Sequence, residues 1–139
     1  MMLNDISTKV DVRKLVQTFY EKVASDDDLS KIFNTIIKTP ELWEHHYEKL
    51  TDFWMMNLFQ ENGYEGQPMD IHLWVDLQMD YTISLQHFER WLELWKSTVN
   101  ELFQGLIATK SINQADRLAD VFHSRLAEIQ KKYRQIVYK

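Results

Sequence analysis

Large apolar residues return along this chain at steps of three and four, the spacing that lines side chains up on one face of an α-helix. The clearest such stretch runs from Thr39 to Phe59, where Trp43, Leu50, Phe53, Trp54 and Leu58 share a face. Thr39-Pro40-Glu41 opens it with a capping side chain, a proline at the first helical position and an early carboxylate. Upstream, Asp11 is placed to cap a helix whose stripe is Val12, Leu15, Val16, Phe19, Tyr20 and Val23. Ser25-Asp26-Asp27-Asp28 breaks that pattern, and its carboxylates suit the capping of a short helix, Leu29 to Ile37, that buries Leu29, Ile32, Phe33 and Ile36. A calcium loop would need further oxygen ligands at fixed spacing and a glycine for the sharp turn, and the stretch has neither.

Glu61 to Pro68 holds two of the three glycines in the chain and reads as a loop. Met69 to Leu73 then reads as a turn or two of helix carrying His72, and Trp74 to Ile83 has no clean period. Ser84 caps a long helix with Phe88, Trp91, Leu92, Trp95, Val99, Leu102 and Phe103 on its buried side, ending near Gly105. The final helix starts at Ser111 or Asn113 and carries Ile112, Ala115, Leu118, Ala119, Phe122, Leu126, Ile129, Tyr133 and Ile136.

Composition supports an all-α reading. With Gly 3 and Pro 2 in 139 residues, breakers are too few for many tight turns, and the length suits one domain spanning 1–139. Aromatic residues make up 13%, enough for some aromatic surface to face a ligand or another subunit rather than the core alone. The net charge of −5, with Lys and Arg dispersed, offers nucleic acid no basic footprint. Cys 0 removes disulfides, thiolate catalysis and thiolate-held metals together. The start Met1-Met2-Leu3-Asn4-Asp5-Ile6 lacks a secretory pattern and no run is long and apolar enough to span a membrane, so a cytoplasmic protein is expected.

The candidate chemistry lies in polar tips on apolar faces. His46 shares the Trp43/Leu50/Phe53 face, whereas His45, about 100° round the helix, points to solvent. Tyr20 lies within its stripe and needs a hydrogen-bond partner, for which a backbone carbonyl of a neighbouring helix is the simplest candidate. Trp91 adds an indole N–H and His72 follows the loop, while His123 lies beside its stripe. No phosphate loop, nucleophile elbow or His-Glu-x-x-His pair is present, which disfavours hydrolytic metal chemistry. A neutral imidazole is a good axial ligand for haem iron, and tyrosine, tryptophan and histidine donors suit a gas ligand whose outer atom carries partial negative charge. The alternative is a helical sensor or interaction module without haem, whose aromatic groove takes a partner helix or another apolar ligand.

Read together, several pieces resemble one family, the group III truncated haemoglobins. They are Phe19-Tyr20-Glu21-Lys22-Val23, Leu29-Ser30-Lys31-Ile32-Phe33, Trp43-Glu44-His45-His46, Asp52-Phe53-Trp54, Tyr64-Glu65-Gly66-Gln67-Pro68 followed by His72, and His87-Phe88-Glu89-Arg90-Trp91-Leu92-Glu93-Leu94-Trp95. The resemblance implies a truncated globin fold, two helix pairs sandwiching haem b. It implies His72 as proximal iron ligand, Tyr20, His46 and Trp91 as the distal groups facing a bound gas, and Phe19, Phe33, Leu50, Phe53 and Trp54 as haem pocket. Lys49 would pair with a haem propionate. The glycine pairs of the other truncated groups are not present, as this group leads one to expect. One departure is the stretch Trp74-Val75-Asp76-Leu77-Gln78-Met79-Asp80, longer than the short proline-containing link of the family, which leaves open what orients the His72 ring.

The function so implied is reversible binding of dioxygen and other diatomic gases, nitric oxide and carbon monoxide included. A polar pocket of this kind suits nitric oxide oxidation or peroxidase-like turnover with a reductase better than bulk oxygen transport.

Overall fold

The computed structural model describes residues 2–137; Met1, Tyr138 and Lys139, the outermost positions of the expected domain, lie outside the described residues. Six helices follow one another, α1 (Lys9–Ser25), α2 (Leu29–Ile36), α3 (Pro40–Phe59), α4 (Pro68–Gln78), α5 (Leu85–Leu102) and α6 (Leu106–Val137), with no strand among the described residues. The pair α1 and α3 packs across the pair α5 and α6, chiefly through α1 on α5. The expected two-over-two sandwich is therefore the observed one.

Each stripe does what its period demands. Val12, Leu15, Val16, Phe19, Tyr20 and Val23 are all buried, and Trp54 and Trp95, each 1% exposed, fill the centre. Burying side chains of that size contributes roughly 3 kcal/mol each. Three indoles run through this core in a stack, Trp91 to Trp95 at 6.0 Å and Trp95 to Trp54 at 4.5 Å between centroids.

The helix ends hold the corrections. Asp11 does not cap α1; Thr8 does, accepting the Asp11 N–H, while the Asp11 carboxylate accepts the Thr8 N–H in return. Thr39 caps α3 as expected, accepting the Leu42 N–H at 3.2 Å. Asp26 accepts the N–H groups of Asp28 and Leu29 ahead of α2, and Ser84 caps α5 in a reciprocal box with His87. α5 stops at Leu102, short of Gly105, and α6 begins at Leu106 rather than at Ser111 or Asn113. Asp5 supplies the reason. Its carboxylate accepts the N–H groups of Ile107 and Ala108 at 2.9 and 2.8 Å, so the helix is capped by a residue from the other end of the chain.

The first half of the region without a clean period, Trp74 to Gln78, is helix, and Met79 to Tyr81 form a turn. α4 runs unbroken to Gln78, and its inner stripe is His72, Val75 and Asp76, two of them polar, while Ile71, Trp74 and Leu77 are about half exposed. Polar groups inside and apolar groups outside cancel the periodic signal.

Candidate functional site

α1, α2, α3 and α5 bring their aromatic side chains to one place. Tyr20, 4% exposed, packs on Phe19 at 4.6 Å, on Phe33 at 5.7 Å and edge-on against His46 at 4.5 Å between centroids. Phe19 in turn meets Trp91 at 5.5 Å. Trp43, one turn before His46, closes over it at 5.8 Å and stacks near Phe33 at 6.4 Å. Leu50 and Phe53 continue the wall along α3. Lys49 is half-buried, and its chain covers the backbone of Gly66, where a Cβ would come within 3.2 Å of the Lys49 Cε. His45 is exposed.

The electrostatics of this cluster follow from dryness. Burial pushes the Tyr20 phenol far above its ordinary range, and the Trp91 indole beside the hydroxyl acts in the opposite direction. Burial, and secondarily the charge of His45, holds the His46 imidazole at about 4, so it is neutral at physiological pH. Its Nε2 is buried and has no hydrogen-bond partner. A ring nitrogen orphaned among aromatic rings is an incomplete site, because such atoms are nearly always satisfied.

His72 stands on α4 against α6. Its ring stacks on Phe122 with centroids 4.0 Å apart and planes at 17°. Its Nδ1 lies 2.6 Å from the Pro68 carbonyl oxygen one turn back, which fixes the tautomer with Nδ1–H donating and leaves the Nε2 lone pair free. Burial depresses its basicity and that carbonyl contact partly restores it. Leu73, the next residue, joins a second apolar cluster with Ile32, Ile83 and Leu126 that also touches Phe33. Phe33 therefore links the α4 side to the Tyr20 side.

These groups fit an iron porphyrin. A neutral imidazole with one nitrogen engaged and the other free is a ready axial ligand, and the orphaned His46 nitrogen lacks a partner of the kind a bound ligand would supply. Among the described residues no three His, Cys, Asp or Glu side chains converge to hold a bare metal ion.

The contacts of Phe122 and the Pro68 carbonyl with His72, and the pairing of Asp76 with Gln130, are not legible in the sequence. Phe122 was visible as a stripe residue of α6, but nothing in its spacing pointed to His72. His123, beside that stripe, meets Phe88 at 5.8 Å.

No protein-family model matches the chain. The Group 3 truncated hemoglobin ctb of Campylobacter jejuni is 35% identical over 116 residues, covering 83% of this chain and 87% of that protein. The crystal structure of the group III truncated haemoglobin from Campylobacter jejuni superposes with a TM-score of 0.80 at 31% identity, over 90% of this chain and 95% of that one.

Proposed function

This chain belongs to the group III truncated haemoglobins, and on that footing we propose that it binds haem b through His72 and takes up diatomic gases on the opposite side. The observation that carries the reading is the unpartnered, buried Nε2 of His46 beside Tyr20, whose hydroxyl lies next to the Trp91 indole. When bound, haem b supplies an iron site for dioxygen, nitric oxide or carbon monoxide and, given a reductant, their redox chemistry.

The chain's own residues do the rest. His72 offers Nε2 while Pro68 holds Nδ1–H and Phe122 holds the ring plane. The Tyr20 hydroxyl keeps its proton at all ordinary pH values and donates it toward the gas. The Trp91 indole N–H donates beside it, and neutral His46 occupies the approach from solvent. Phe19, Phe33, Leu50, Phe53 and Trp54 exclude water, which strengthens each of those hydrogen bonds. Lys49, whose chain lies over Gly66, would pair with a propionate of the group.

Strong donors in a dry pocket suit gas chemistry, nitric oxide oxidation or peroxidase-like turnover, rather than oxygen transport, and the reaction calls for a reductase. No helix among the described residues is long and apolar enough to cross a membrane, and a cytoplasmic setting accords with that reductase. The test is the spectrum of the reduced, hemin-loaded protein under dioxygen, nitric oxide and carbon monoxide in turn. Distinct shifts for each gas support the reading. A spectrum that no gas alters, or nitric oxide consumption no faster than free haem, counts against it.

A further inference from the structure

α4 carries His72, the iron ligand proposed above, yet little apolar burial holds it. It follows a glycine-bearing loop, and Ile71, Trp74 and Leu77 are 51%, 51% and 48% exposed. Beside the His72–Phe122 stack and the packing of Leu73 and Val75 in the second apolar cluster, polar contacts fix it. Asp76, one turn past His72 and on the same face, is 1% exposed. The Nε2 of Gln130 on α6 donates to both Asp76 carboxylate oxygens, at 3.2 and 3.0 Å, and to the Ile83 carbonyl at 2.8 Å. The Ile83 N–H donates to Asp76 Oδ1 at 3.1 Å, and the Tyr81 N–H donates to the Asp76 carbonyl at 2.8 Å.

The turn between these bonds is strained. Asp80 and Tyr81 take φ of 56° and 59°, two consecutive left-handed residues without a glycine. Such strain persists only where the surroundings over-determine it, and it collects at functional sites. Here the surroundings are Asp76, Gln130 and the ring of Tyr133, which lies 4.3 Å from the ring of Tyr81. The helix of His72 thus rests on α6 at two rungs, His72 on Phe122 and Asp76 on Gln130, with Leu126 filling the space beside Val75 and Met79.

We propose that Asp76 and Gln130 form a proximal clamp, positioning residues that set where α4 lies along α6 and so fix the distance and tilt that the His72 imidazole presents to iron. The clamp rests on the haem reading above for its purpose, but its mechanical part can be read without haem. A carboxylate in this environment tolerates no loss of partners, because desolvation leaves it dependent on each donor it has.

The test is Gln130→Leu in the full chain, with Asp76→Asn, which keeps an acceptor for the Ile83 N–H, as the milder variant should the first fail to fold. In the haem-free protein, hydrogen exchange of the α4 amides from Ile71 to Leu77 accelerates at least tenfold while α1, α3 and α5 keep their protection. In the hemin-loaded, reduced protein, the iron–histidine stretching band shifts or broadens while the carbon monoxide bands that report Tyr20 and Trp91 stay put. Unchanged α4 exchange, or a uniform loss of protection over all helices with the iron–histidine band unmoved, overturns the clamp. A wild-type chain that takes up no haem overturns the functional reading instead, and the exchange result still decides the mechanical claim.

Discussion

Tyr20 and His46 meet edge to face, ring centroids 4.5 Å apart and planes at 81°. The contact pairs a phenol that burial keeps protonated with an imidazole that burial keeps neutral. Neither ring carries charge in the working pH range, so the cluster that faces the proposed gas site offers dipoles and protons. Donors of that kind, held in place before the ligand arrives, stabilise partial negative charge without reorganising.

Replacing Tyr20 by Phe removes one such donor and leaves the ring packing on Phe19 and Phe33. A hydrogen bond to a charged acceptor contributes about 1.5–3 kcal/mol, which corresponds to a dioxygen off-rate roughly ten- to hundredfold faster. Stopped-flow displacement of dioxygen by carbon monoxide measures it, and an unchanged rate removes Tyr20 from the site.

Acid should destabilise the haem-free protein through its buried histidines. The unfolded chain takes up a proton at His46 below about pH 6.5, whereas the folded chain does not until about pH 4. Stability is therefore full above pH 6.5 and declines as the pH falls toward 4, by up to about 3 kcal/mol. His72 contributes in the same direction. Urea unfolding at pH 7.5 and 4.5 shows the decline, and His46→Phe should flatten it; an identical decline in the variant contradicts the assignment.

Phe122→Ala takes away the surface on which His72 lies. Phe122 is half-buried, so the cost in stability should be roughly 2 kcal/mol, below that of a fully buried phenylalanine. The His72 ring resonances should broaden as its orientation loosens, and His72 resonances as sharp as in the parent protein would remove Phe122 from that role.

Gly105 adopts φ +150°, and a Cβ there would run into the Asp5 carboxylate that caps α6. Gly105→Ala should cost about 2 kcal/mol through strain and the lost cap. In an Asp5→Gly background, which removes the Asp5 Cβ as well as the carboxylate, the same substitution should cost markedly less, since the two share one contact. Additive losses in thermal unfolding would show that the cap and the glycine act separately.

Legibility in the sequence followed the range of the interactions. The stripes of α1 and α3 and the Thr39 cap of α3 are legible because they are local, whereas the α1 cap is Thr8, not the Asp11 that the sequence offers. The start of α6 is not legible, because its cap is Asp5, a hundred residues away, and the internal Ser111, an ordinary capping residue, offers a false start. α4 was half readable, since its inner face holds His72 and Asp76 while Trp74 and Leu77 face outward. The partners of His72 were hidden for a related reason. The Pro68 carbonyl is backbone, and Phe122 reaches the imidazole only through the packing of α4 on α6.

The central claim is that His72 binds the iron of a resident haem. Its most direct test is the visible absorption spectrum, ferric and then reduced, of the purified protein beside His72→Ala, with hemin supplied to both. A strong Soret band in the parent protein that is lost or reshaped in the variant is the expected result. No Soret band in either, or the same band in both, would contradict it.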